Sequence, residues 1–239
     1  MKAYSKTDIG SKRTMNQDSV YCNENSVGSF QNLFIVADGM GGHKAGDYAS
    51  RLCVEKIVYA VEQSKSITPV TILEEAVTEA NKGVLEEAKA NAEYEGMGTT
   101  MVACTLQKDT LYIPNMGVSR LYIINDDIKQ ITKDHSWVEE MVKKGELTES
   151  QARIHPQKNI ITRALGIDEV VHADYFEIDV KPDDKILMCS DGLTNMVEDE
   201  DIEYIIRHSS SIEKAVENLV EKANENGGKD NITVILVQI

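Results

Sequence analysis

The stretch Leu33-Phe34-Ile35-Val36-Ala37-Asp38-Gly39-Met40-Gly41-Gly42 decides how this chain is read. Its first five residues form a continuous apolar run, short and bounded by glycine, which predicts a buried strand. The run stops on an aspartate, so a carboxylate stands where core gives way to turn.

The same arrangement recurs along the chain. Asp191 follows the apolar run 186–189 and begins Asp191-Gly192. Asp230 lies in Gly227-Gly228-Lys229-Asp230-Asn231, ahead of the predicted last strand, 232–239. Asp18 closes Arg13-Thr14-Met15-Asn16-Gln17-Asp18, just before residues 19–22. Four carboxylates thus mark four strand ends, three with glycine close by. Hard cations such as Mg²⁺ and Mn²⁺ take oxygen ligands and keep several waters. A glycine beside a ligand lets its carbonyl approach an ion without a Cβ in the way. Two such ions, about 3.5–4 Å apart, activate a water and screen a phosphate. Taken singly, Asp-Gly is an ordinary turn dipeptide, and strand ends alone do not bring the four together.

Between these points the periodicity changes twice. Helical spacing covers 45–62 and about 70–92, the second started by Thr68-Pro69. Short β-rich runs at 99–106, 110–115, 120–124 and 128–131 read as an antiparallel meander. A helix over 136–144 leads into a polar segment ending at Gly166. Strands follow at 173–178 and 185–189, then helices at 199–207 and 211–225. Hairpin-linked strands and paired helices predict an α+β fold: a central antiparallel β-sandwich with helices outside.

Composition narrows the function classes. The 239 residues suit one domain spanning 1–239, with 41% apolar residues for its core. A net charge of −15 argues against a nucleic-acid partner. No run approaches the roughly 18 apolar residues of a membrane span. Cys22, Cys53, Cys104 and Cys189 include no CxxC pair, and three lie in apolar runs. Free thiols in a reducing compartment, hence a cytoplasmic protein, are the expectation. The glycines at 39, 41 and 42 match neither GxGxxG nor a lysine-bearing phosphate loop, which disfavours a nucleotide-binding domain.

Five segments, in order, resemble the motif set of the PP2C-type (PPM family) metal-dependent serine/threonine protein phosphatases. They are 13–18, Val36-Ala37-Asp38-Gly39-Met40-Gly41-Gly42-His43, Gly98-Thr99-Thr100, Ser190-Asp191-Gly192-Leu193 and Lys229-Asp230-Asn231-Ile232-Thr233. The bacterial branch, which opposes Hanks-type kinases, is the most similar in appearance. The resemblance implies a sandwich flanked by helix pairs (α-β-β-α layers), with a flap near 145–170. It implies at least two Mn²⁺ or Mg²⁺ ions. Asp38 would bridge them, the carbonyl of Gly39 would bind one, Asp191 and Asp230 would hold the first, and Asp18 would act through a bound water. Arg13 would grip the substrate phosphate, a task that suits its planar fork. His43 is a candidate proton donor to the leaving group, with a surface or capping role as its alternative. His155 falls in the flap, where it would contact substrate. Phosphoserine and phosphothreonine proteins, a Hanks-type kinase among them, would be the partners of a monomer.

One position departs from the pattern. The family has Gly-Asp-Ser-Arg where this chain has Gly117-Val118-Ser119-Arg120. That aspartate is associated with a third, weaker metal, and valine offers no oxygen. Reduced turnover is therefore expected, and a weakly active phosphatase-fold regulator that binds phosphoproteins is the alternative function.

Overall fold

A computed structural model describes residues 1–42 and 45–239. Among these residues the chain runs β1 (Lys2–Asp8), β2 (Asp18–Asn23), β3 (Leu33–Met40), α1 (Ala45–Gln63), α2 (Pro69–Ala90), β4 (Gly98–Thr99), β5 (Met101–Gln107), β6 (Thr110–Met116), β7 (Arg120–Ile124) and β8 (Ile128–Gln130). It continues with α3 (Trp137–Lys143), α4 (Glu149–Ile154), β9 (Asp174–Asp179), β10 (Lys185–Cys189), α5 (Asp191–Thr194), α6 (Asp199–His208), α7 (Ile212–Glu225) and β11 (Ile232–Gln238). One sheet has the order β1-β11-β10-β7-β8. The other runs β2-β3-β5-β6-β9, with β4 paired to β3.

Strand alternation explains the layers. In β3, Phe34 and Val36 point into the space between the sheets, where they join Val102, Cys104, Met188 and Ile235. The alternate residues Leu33, Ile35 and Ala37 pack instead beneath α1 and α2, with Ile57, Ile72 and Leu73. In β10 and β11, Leu187, Cys189, Val234 and Leu236 face α6 and α7. Both faces of each central strand are therefore buried, which is why these strands are apolar throughout rather than alternating. The predicted sandwich flanked by helix pairs is the observed fold.

Three local predictions need correction. Strand β1 escaped the periodicity reading because it is a half-exposed edge strand carrying Lys2 and Lys6, the usual charged protection of an unpaired edge. The predicted strand 99–106 is broken at Thr100, where the backbone turns to bond Asp38. Within the polar segment after α3, α4 forms on a capping box: Thr148 and Gln151 satisfy each other's backbone N–H groups.

Candidate active site

The four aspartates are brought to one end of the sandwich by pairing, not by proximity in sequence. Asp18 and Asp38 face each other across the β2–β3 ladder. Asp191 is the first residue of α5, directly after β10, rather than a strand end, and Asp230 precedes β11. Because β2 and β3 belong to one sheet and β10 and β11 to the other, the carboxylates meet across the sandwich edge.

Their mutual charge shows the convergence. Burial pushes Asp38 well above the usual carboxylate range, and the charges of Asp18, Asp191 and Asp230 push it further. Burial raises Asp191 to about 7, helped by the charges of Asp230 and Asp18. Asp18 rises to about 6 for the same first reason, although hydroxyls on its carboxylate oppose the shift. Such a cluster is short of positive charge.

The residues present fit divalent cations. Among the described residues, Oδ1 of Asp18 and Oδ1 of Asp191 are buried without a hydrogen-bond partner, and orphaned buried oxygens carry a desolvation cost that a cation removes. Among the described residues, no three Asp, Glu, His or Cys side chains are already gathered closely enough to ligate one ion by themselves, so carbonyl or water oxygens would have to complete any shell. That loose oxygen set suits Mg²⁺ or Mn²⁺, which retain waters and need only one or two carboxylates each, and not tetrahedral zinc.

Backbone contacts make the floor stiff. The Thr100 N–H donates to the Asp38 carbonyl (2.8 Å), and the Asp38 N–H donates to Thr100 Oγ1 (3.2 Å). Thr100 Oγ1 also meets Ser119 Oγ at 2.8 Å. Thus Gly98-Thr99-Thr100 and Ser119 both serve to hold Asp38. Gly39 lies against the first turn of α1: a Cβ there would collide with the Gly46 carbonyl oxygen, and one on Gly46 would stand 2.8 Å from the Gly39 oxygen. Glycine at both positions therefore lets the start of α1 lie this close to the end of β3. Asn231 ties the Arg13 loop to the floor by accepting from the Gln17 N–H (2.8 Å) and donating to the carbonyls of Ile9 and Met15 (2.9 and 3.0 Å).

The remaining predicted residues are placed as follows. Arg13 Nη2 donates to Asp230 Oδ2 at 2.8 Å, and about half of the arginine side chain stays exposed. Its guanidinium therefore overlooks the carboxylates with N–H groups to spare. His43 lies outside the described residues. His155 packs its ring on Trp137, 5.2 Å between centroids, and its Nδ1 accepts from the Gln157 N–H. Val118 is buried and lines a cavity of about 500 Å³ beside Asp191. Helix α3 and the flap helix α4 form the opposite wall, and Lys158 of the flap reaches across the cavity. Its Nζ donates to Asn195 Oδ1 (2.9 Å), whose Nδ2 donates to Asp191 Oδ2 (3.0 Å).

Sequence reasoning missed Ser190, Thr233, Thr100, Asn195 and Lys158 as individual actors. The first three stand inside quoted motifs, and their nearness in sequence to Asp191, Asp230 and Thr99 was the available signal. Nothing local marks Asn195 or Lys158.

Comparison with known proteins gives a consistent result. The family described as protein phosphatase 2C matches residues 10–236. The serine/threonine phosphatase stp of Listeria welshimeri is 40% identical over 243 residues, covering 100% of this chain and 96% of that protein. The S. agalactiae serine/threonine phosphatase superposes with a TM-score of 0.92 at 36% identity, covering 100% and 99% of the two chains. The catalytic domain of the serine/threonine phosphatase PstP, described in complex with 2 manganese ions, gives 0.86 at 31% identity, covering 98% and 96%. This chain belongs to the protein phosphatase 2C family.

Proposed function

We propose that this protein hydrolyses phosphoserine and phosphothreonine in proteins, with residues 1–239 acting as one catalytic unit. Phosphatases of this family use Mn²⁺ or Mg²⁺. The observation that carries the reading is the set of buried carboxylates drawn from both sheets, two of them with unpartnered oxygens.

Asp38, Asp191, Asp230 and the Gly39 carbonyl are the residues that would hold two cations, and Asp18 would act one water further out. Bound there, the cations would supply an activated water and charge to screen the phosphate. The chain's own contribution is placement. Arg13, anchored at one nitrogen by Asp230, has free N–H groups to orient phosphate oxygens. The flap and Val118 bound the space next to Asp191, and His155 would meet the protein substrate from the flap's outer side. Departure of the alkoxide needs a proton, and His43 is the proposed source.

The phosphoproteins would be those made by a Hanks-type kinase, the kinase itself included, and the enzyme would work as a cytoplasmic monomer. Free Cys22, Cys53, Cys104 and Cys189 support the reducing compartment.

Hydrolysis of p-nitrophenyl phosphate with Mn²⁺, compared with a chelated control, tests the proposal. Metal-dependent release of p-nitrophenol is expected. A chain that binds phosphoproteins without turnover would point to the regulatory alternative, which the apolar Val118 favours.

A further inference from the structure

Asp18 is held differently from the other three aspartates. Its Oδ2 accepts from the hydroxyls of Ser190 (2.7 Å) and Thr233 (2.6 Å), both fully buried, while Oδ1 has no partner among the described residues. A hydroxyl has one proton, and Thr233 gives its own to Asp18. At the 2.7 Å contact between Thr233 Oγ1 and Thr7 Oγ1, Thr7 must therefore be the donor. Thr7 Oγ1 accepts in turn from Asn16 Nδ2 at 2.8 Å. The orientation of the Asn16 amide is set by the Asp18 backbone N–H, which donates to Asn16 Oδ1 at 3.2 Å. The circuit closes on itself. It runs in one direction, from the Asp18 N–H through Asn16, Thr7 and Thr233 back to the Asp18 carboxylate.

We propose that Ser190 and Thr233, backed by the ring through Asn16 and Thr7, are positioning residues that turn Asp18 Oδ1 toward the divalent-cation centre. The inference rests on the proposed role of Asp18 in that centre. Two charge-assisted bonds on one oxygen fix the carboxylate's rotation and leave the other oxygen bare. Bonds aligned head to tail polarise one another, so Thr7 strengthens the Thr233–Asp18 contact without touching it. The ladder helps, since Thr7 and Thr233 are paired residues of β1 and β11. Partners standing behind metal-linked carboxylates act in this way generally.

The full-length chain tests it in the variants Thr233→Val, Thr233→Ser and Thr7→Val. Mn²⁺ binding is measured by calorimetry, and melting is followed with Mn²⁺ and with chelator. Thr233→Val should bind Mn²⁺ more weakly by on the order of 10–100-fold. Its chelated melting point should stay near wild type, and Thr233→Ser should recover the affinity. Thr7→Val should show a smaller loss in the same direction. Wild-type Mn²⁺ affinity in Thr233→Val, with or without a lower chelated melting point, would overturn the inference and leave only a structural role. If Thr233→Val does not fold, Ser190→Ala and Thr7→Val decide by the same affinity measurement, and unchanged values in both overturn it. A wild-type chain that binds no Mn²⁺ would instead overturn the metal site itself.

Discussion

The floor of the site and its flap wall are built on opposite principles. The floor takes Asp38 from a strand paired on both sides and Asp18 from the edge strand laddered to it, and Asp38 is held through both its N–H and its carbonyl. The wall is two short helices joined by turns; the flap is stitched to the floor by backbone where Leu165 and Thr99 exchange N–H donations, and elsewhere it reaches the floor side through long side chains. Lys158 reaches Asn195 at 2.9 Å, and Arg153 reaches Glu198 at 2.8 Å with both partners partly exposed. Exposed ion pairs of that kind contribute at most about 1 kcal/mol each. Precise placement is therefore better supported in the floor than in the wall.

The comparison can be broken most directly at Asp38. Asp38→Asn, or Asp191→Ala, should reduce phosphatase activity to background while the fold persists, because each would remove a proposed cation ligand and also relieve like-charge repulsion. The melting point in chelator should hold or rise, and wild-type rates in either variant would refute the assignment. Arg13→Ala should act next most strongly. A charged hydrogen bond contributes about 1.5–3 kcal/mol, so the Michaelis constant should increase on the order of 10–100-fold, with turnover less affected. A collapse of turnover at unchanged Michaelis constant would make Arg13 a group that binds only the transition state.

Val118 sits at the join between floor and wall. Val118→Asp places an oxygen ligand beside Asp191, and turnover should rise by about tenfold with an altered Mn²⁺ dependence. Identical metal titrations for the two proteins would show the position to be merely packed.

The floor should also titrate. Asp18 and Asp191 have folded values near 6 and 7, above the roughly 4 of an unfolded aspartate. Between these limits the folded chain binds more protons than the unfolded one, so stability falls as pH rises. Chelated protein should melt a few degrees lower at pH 8 than at pH 5, and Asp191→Asn should flatten that slope. A melting point that rises across this window would contradict the buried cluster. The smallest effect is expected in the wall: His155→Ala should leave p-nitrophenyl phosphate hydrolysis unchanged and alter kcat/KM for phosphoprotein by about threefold or less. A tenfold loss on the small substrate would move His155 into the chemistry.

Much of this architecture was legible in the residues. Continuous apolar runs such as 33–37 and 186–189 can be satisfied only by burial on both faces, which requires helices outside a pair of sheets. Aspartates at the ends of those runs announced a polar edge, and their motif order carried the family. Strand β1 was illegible because an edge strand with lysines lacks the two-residue apolar period. Helix α4 was hidden for a different reason, as a six-residue helix rests on its cap more than on any apolar stripe.

The sequence by itself determined the layers, the acidic strand ends and the substitution at Val118. Only the tertiary structure decided that Asp18 faces Asp38 in register, that Asp191 opens a helix, and that Thr233, 215 residues away, gives its proton to Asp18. The physical reason is range. Burial and periodicity are properties of neighbours along the chain, whereas hydrogen-bond direction and the coupling of buried charges depend on distances that chain folding alone creates.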